Sequence, residues 1–239
     1  MSIAAEKTVR EVVLENPAAA RIFEKLGIDY CCGGGQSLED ACARARVPVE
    51  SIEESLHAAE PATGERDWRT EPLFELIAHI QETHHRYTRD ELRRLGPLFE
   101  KVCSAHGRNH PELFGMQTTF EGVAHELRMH MMKEEAMLFP YIVRMEEAVV
   151  AHEPVLPPPF GAVRNPVAMM MREHDDAGTA LRDLREASQG YAVPPDACLS
   201  YRTLYQALAA FEADLHQHIH LENNILFPRA VEMEPAESE

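Results

Sequence analysis

Two stretches of this chain, HMMKEEAMLFP (130–140) and HIHLENNILFP (218–228), share the pattern His-x-x-x-Glu-x-x-x-Leu-Phe-Pro at an offset of 88 residues. A helix turns once in about 3.6 residues, so His and Glu four apart lie on one face. His130 with Glu134, and His218 with Glu222, are therefore two copies of a helical imidazole–carboxylate pair. Upstream of each copy stands another histidine, in THH (83–85) and EHD (173–175). His85 precedes His130 by 45 residues and His174 precedes His218 by 44. Four imidazoles and two carboxylates form a mixed nitrogen and oxygen set that suits iron or manganese better than a structural zinc site rich in cysteine. A carboxylate has two oxygens and can bridge two metals, so one glutamate per half and two histidines per metal describe a dinuclear arrangement. About eight of roughly twelve positions in two octahedra would be filled, which leaves room for an oxo or hydroxo bridge or an exogenous ligand. One His-x-x-x-Glu is an ordinary helix-surface pattern, and a buried His beside a Glu can be a plain hydrogen-bonded pair. Two copies, each with a partner histidine at matching distance, favour the metal.

Other residues carry weaker signals. His84 and His85 are adjacent, about 100° apart on a helix, so one of them ligates. Apolar phase does not choose, because Ile77 and Ile80 favour His84 while Phe74 and Leu92 favour His85. His79, His216 and His220 fall on other faces or behind the ligands. AHELRMH (124–130) has one residue too many for the zinc-protease motif, which turns its second histidine off the face. Glu126 extends the His130–Glu134 stripe and Glu173 adjoins His174; either acid could orient a ligand histidine or relay protons, and either could be solvated surface. The methionines at 129, 131–132 and 169–171 read as core filler, and Cys42, Cys103 and Cys198 as ordinary buried or half-exposed thiols.

The elements that must position these groups are helices, and the fold class is all-α. No period-two alternation with β-branched enrichment occurs. Residues 1–60 are short helices. Thr8 caps one with Val9, Val12 and Val13, and Asn16-Pro17 opens a second with Ala20, Phe23 and Leu26, ended by Gly27. Ser37 with Asp40 opens a third, and Pro48 a fourth with Ile52 and Leu56. Between the second and third lies DYCCGGGQ (29–36). Residues 61–71 are a polar linker. From 72 to 239, long helical stretches fall at about 72–103, 117–148, 166–188 and 196–232, and the proline-rich 153–166 joins the two halves of a four-helix bundle.

The net charge of −17 disfavours nucleic acid and anionic membrane surfaces. No apolar run approaches the ~20 residues of a membrane span. Glu6 and Lys7 interrupt what a signal peptide would keep apolar, so a soluble cytoplasmic protein is expected. Five cysteines, scattered apart from one adjacent pair, do not form a disulfide framework, and thirteen histidines point to metal. In a reducing compartment Cys31 and Cys32 stay as two thiols. The glycines after them let the turn take positive φ and let another molecule approach closely. The end of the preceding helix disfavours thiolate and the start of the Ser37 helix favours it; the pair reads either as a purely structural turn or, beside a metal store, as a redox or iron-transfer element.

DYCCGGG followed by HMMKEExxLFP, REHD and HIxLENNxLFP resembles the repair-of-iron-centres family of YtfE/ScdA type, over nearly the whole chain. The resemblance implies an N-terminal ScdA-type domain and a hemerythrin-like bundle. It implies two non-haem irons on His85, His130, Glu134, His174, His218 and Glu222, with both glutamates bridging and Glu126 and Glu173 as nearby acids. Here it is the spacing from His79 that selects His85. The implied function is repair of iron–sulfur clusters damaged by nitrosative or oxidative stress through supply of iron, with damaged iron–sulfur proteins as partners and a homodimer as an assembly open to it. The alternatives are a dioxygen- or nitric oxide-binding sensor and a nitric oxide reductase. Carrier hemerythrins use five histidines and lack the N-terminal domain, which weighs against a simple carrier.

Overall fold

In the computed structural model residues 6–58 and 66–234 are described; the linker positions 61–65 lie outside them. Among the described residues all regular structure is helical, with one isolated antiparallel bridge from Thr8 to Ser37. The chain forms two compact units, one from 1–72 with 216–229 and one from 73–215 with 230–239.

The first unit holds α1 (Val9–Glu15), α2 (Ala18–Leu26), α3 (Leu38–Ala45) and α4 (Val49–Ala58). Thr8 and Glu11 close a reciprocal capping box on α1, and Ser37 accepts from the Asp40 amide to start α3. Gly27 ends α2 at φ 68°, a left-handed conformation that costs glycine nothing. Val9, Val12, Val13, Phe23, Leu38 and Ile52 lie in one buried cluster, so the apolar spacing read from the sequence is the packing face.

The second unit holds α5 (Leu73–His79), α6 (Arg86–His106), α7 (Glu112–Lys133), α8 (Phe139–Ala151) and α9 (Arg164–Ala187). A tenth helix, α10 (Leu199–Leu221), begins in the second unit and ends in the first, and α11 (Phe227–Met233) follows it. Glu146 accepts from the amides of Leu73 and Phe74 at 2.6 and 2.9 Å and so caps α5, and Glu234 accepts from the Val163 amide at 2.6 Å before α9. Phe120 stacks between Phe99, at 5.2 Å, and Phe211, at 6.3 Å, in the bundle interior. Helix α7 starts at Glu112, five residues before the expected 117. Pro111 costs nothing there, because the first amides of a helix lack intrahelical partners.

Three helices widen to π geometry, at Ile80–His85, Glu134–Leu138 and Glu222–Leu226. The last two are the Leu-Phe-Pro repeats. Pro140 and Pro228 have no amide to donate, and in an α-helix their rings would press on the carbonyls of Ala136 and Asn224; a wider turn relieves that contact.

The connections on either side of the bundle meet through His110, whose ring nitrogens bond Asp196 at 3.1 Å and Glu112 at 3.1 Å. Burial would lower the His110 pKa, but the bonds to Asp196 and Glu112 outweigh it and raise it above 6.5. The Asp196 carboxyl is held below its usual 3.8, chiefly by the bond from His110. A raised histidine stabilises fully below its unfolded value and loses that contribution as pH rises through the folded one; a lowered aspartate contributes above 3.8 and loses it as pH falls. In an NMR titration His110 is expected to titrate above 6.5, and Asp196→Asn to bring it down; a wild-type value at or below 6.5 would dismiss the link.

Candidate metal centre

In the second unit, His85, His130, Glu134 and His174 come together, all essentially buried. Glu134 directs Oε2 toward His85 Nε2 at 3.4 Å and Oε1 toward His130 Nε2 at 3.2 Å. His174 Nε2 lies 2.9 Å from His130 Nε2, with ring centroids 4.6 Å apart. One ligand atom from each of His130, Glu134 and His174 falls within 4.8 Å of the others. Ring orientation is set from behind. His130 Nδ1 bonds Glu173 Oε2 at 2.8 Å, and Lys133 holds the same carboxylate. His85 Nδ1 bonds Glu135 Oε1 at 2.6 Å, and Arg89 bonds that oxygen at 2.5 Å.

These bonds assign the protons. With Nδ1–H donated to a carboxylate, each ring turns the Nε2 lone pair inward. Nε2 of His85 and of His130 then stand 3.4 and 3.2 Å from the oxygens of Glu134, so imidazole nitrogens and carboxylate oxygens converge on one buried place. The donor set thus fits a hard or borderline cation.

Burial raises the Glu135 and Glu173 carboxyls, but their hydrogen bonds and ion pairs win and hold both below the ordinary glutamate range. Both remain anionic and acceptor-only, as the assigned tautomers require.

In the first unit, His218 Nε2 lies 3.0 Å from Glu222 Oε1 with both side chains buried. The copies of His-x-x-x-Glu thus share their internal geometry: within each, the pair is 3.0–3.2 Å apart and the glutamate opens a π-helical turn.

His84 is buried too, but its Nδ1 bonds Asp214 at 3.0 Å. Glu126 is exposed on α7, whereas Glu173 holds His130; of the two expected acids Glu173 is the one that bonds a histidine of the cluster. Glu135 does for His85 what Glu173 does for His130, and sequence reasoning missed it. The doublet Glu134-Glu135 was the available signal. The methionines divide: Met131 and Met170 are core, while Met129, Met132 and Met169 are exposed.

DYCCGGGQ is a compact turn. Asp29 Oδ1 accepts from the amides of Cys31 and Cys32 at 3.1 and 2.9 Å. Cys31 is buried and Cys32 partly exposed, with sulfurs 3.8 Å apart. One ligand atom from each of Asp29, Cys31 and Cys32 lies within 4.8 Å of the others. The bond to the Cys32 thiol, then burial, push the Cys31 thiol up, which agrees with the protonated thiol expected and leaves no thiolate from the start of the Ser37 helix. Nor do the glycines serve positive φ here. A Cβ at Gly33 would meet Asp29 Oδ2 at 3.1 Å, and one at Gly34 would meet the Tyr30 carbonyl at 2.9 Å. Gly33 and Gly34 thus serve the turn's own close packing, while a Cβ at Gly35 would meet open space. Cys42 and Cys103 are buried thiols as expected, but Cys198 is exposed, with a pKa lowered first by the Tyr201 amide and then by His106.

A family model described as the hemerythrin HHE cation binding domain matches residues 76–230, and one described as ScdA_N, a domain of unknown function (DUF542), matches 5–60. The chain is similar to the iron-sulfur cluster repair protein YtfE of Pectobacterium carotovorum subsp. carotovorum (strain PC1), 36% identical over 95% of this chain and 97% of that one. The protein of the same name from Citrobacter koseri is 35% identical over 95% and 97%. That from Escherichia coli O6:K15:H31 is 34% identical over the same shares.

Proposed function

Because the chain belongs to the family of YtfE iron-sulfur cluster repair proteins, with a hemerythrin cation-binding domain, we propose that it restores iron–sulfur clusters damaged by nitrosative or oxidative stress by supplying iron. The residues that would hold the iron are His85, His130, Glu134, His174, His218 and Glu222, the two glutamates being able to serve two ions. The observation that carries this reading is the carboxylate of Glu134, each of whose oxygens faces a different imidazole at 3.2–3.4 Å. A chelating carboxylate would turn both oxygens to one partner. The π-helical turns at Ile80–His85, Glu134–Leu138 and Glu222–Leu226 add support, since such turns are rare and gather at functional sites. When bound, iron would supply a labile, redox-active cation in a mixed imidazole and carboxylate site. The chain's own residues bury it and fix the ring tautomers.

Among the described residues no helix is long and apolar enough to cross a membrane, and all five cysteines are free. Both fit a reducing cytoplasmic setting. The decisive experiment adds iron-loaded protein, without oxygen, to a dehydratase whose cluster nitric oxide has destroyed. Activity is expected to return faster than with free ferrous iron at the same concentration. Equal recovery with free iron would refute the supply role and leave binding or reduction of nitric oxide to be read from the optical spectrum.

A further inference from the structure

The two copies of the repeat differ at the two positions after the glutamate. The first has Glu135-Ala136 and the second Asn223-Asn224. Glu135 accepts from His85. The asparagines donate instead. Asn223 Nδ2 bonds the Cys31 carbonyl at 3.3 Å, and Asn224 Nδ2 bonds the Tyr30 carbonyl at 3.0 Å. Both side chains are buried, and a buried amide without bonds is costly, so these positions are held by the bonds they make. Asn224 spends its second hydrogen on His220 Nδ1 at 2.8 Å.

The bonds are local to one face of the helix. Gln217 donates to the Tyr30 hydroxyl at 2.9 Å, the His220 ring meets Tyr30 edge-on at 5.6 Å, and His216 bonds Glu24 at 2.8 Å. Residues 216, 217, 220, 223 and 224 recur at helical spacing, and His218 and Glu222 lie off that face. The Glu222–Leu226 π turn brings the adjacent Asn223 and Asn224 onto consecutive carbonyls of one turn. A carboxylate at position 223, like Glu135 in the first copy, could not donate to Cys31.

We propose that Asn223 and Asn224 are positioning residues that clamp the Cys31–Cys32 turn to the helix carrying Glu222. One copy of the repeat thus orients a histidine while the other anchors the thiol turn and keeps Cys31 buried. The clamp itself stands on hydrogen bonds; only its service to iron transfer rests on the repair reading.

The test alkylates the full-length protein with iodoacetamide and reads each cysteine by peptide mass spectrometry, in metal-free and ferrous-loaded samples. In the wild type Cys31 is expected to react more slowly than Cys32. Asn223→Ser/Asn224→Ser shortens both donors, and with two net hydrogen bonds lost the Cys31 rate is expected to rise about tenfold or more. Cys42 and Cys103 report global unfolding and are expected to stay slow. An unchanged Cys31 rate overturns the clamp. If all three rise together, the single variants decide: a selective rise at Cys31 in either upholds the clamp, and none in both overturns it. Bound iron in Glu222→Gln, measured separately, tests the metal reading, so either can fail alone.

Discussion

Glu134→Ala is expected to lose both metals at once, holding less than about a tenth of the wild-type iron under conditions that fill the native protein. Losing a group that merely supports a ligand costs about 10–100-fold in metal affinity, and losing the ligand itself costs more. Glu134 is special among the proposed ligands because its oxygens face His85 and His130 separately. Its removal takes a donor from each metal of the proposed pair, whereas His174→Ala takes a donor from one. His174→Ala is therefore expected to keep more iron than Glu134→Ala. The sign on stability is opposite in the two forms of the protein. Without metal, Glu134 is a carboxylate buried away from water, and burying such a charge costs more than the packing it provides; the metal-free variant is expected to melt no lower than the metal-free wild type. With metal, the wild type gains stability through binding to the folded state alone, and the variant forfeits that gain. Metal analysis alongside thermal unfolding of both forms measures the two effects. A Glu134→Ala protein with a full iron complement would end the bridging assignment.

What the sequence could express was whatever depends on regular helical spacing. His130, Glu134, His218 and Glu222 were legible because four residues span one turn, and the valines of α1 and Phe23 of α2 because their period is that of a buried face. Where the helix departs from that period, phase failed. His84 and His85 could not be told apart because residues 80–85 form a π segment, in which one extra residue per turn shifts the register by about 100°. The Leu-Phe-Pro ends, read as mere repeat markers, are where proline makes such widening favourable. Contacts between distant segments were beyond the sequence for another reason. Glu135 meets His85 across 50 positions, and Asn223 meets Cys31 across 192; no local pattern encodes a partner that far away. Glu126 continues the stripe of His130 and Glu134 by arithmetic, which left two readings open, and its place on the face is exposed.

Glu135→Ala and Glu173→Ala are expected to weaken metal binding by about 10–100-fold each, equivalent to ~1.4–2.7 kcal/mol, while Glu126→Ala leaves it within about twofold. The two acids do the same work on different histidines. Each accepts the Nδ1 proton of a ring whose Nε2 faces Glu134, and each is braced by a cation, Arg89 on Glu135 and Lys133 on Glu173. Without the acceptor the imidazole is free to change tautomer or rotate, and an Nε2–H would point a hydrogen where a lone pair is needed. The glutamine variants separate charge from orientation. An amide oxygen still accepts the Nδ1 proton, so Glu135→Gln is expected to keep the tautomer and lose only the extra basicity that an anion gives the ring, falling between wild type and alanine. Competition with a ferrous chelator measures the affinities. The nitrogen chemical shifts of His85 and His130 in the metal-free protein report tautomer independently of metal, and are expected to change in the alanine variants and not in the glutamine ones. Equal losses for Glu126→Ala and Glu173→Ala would mean that surface charge, not the bond to His130, governs the site.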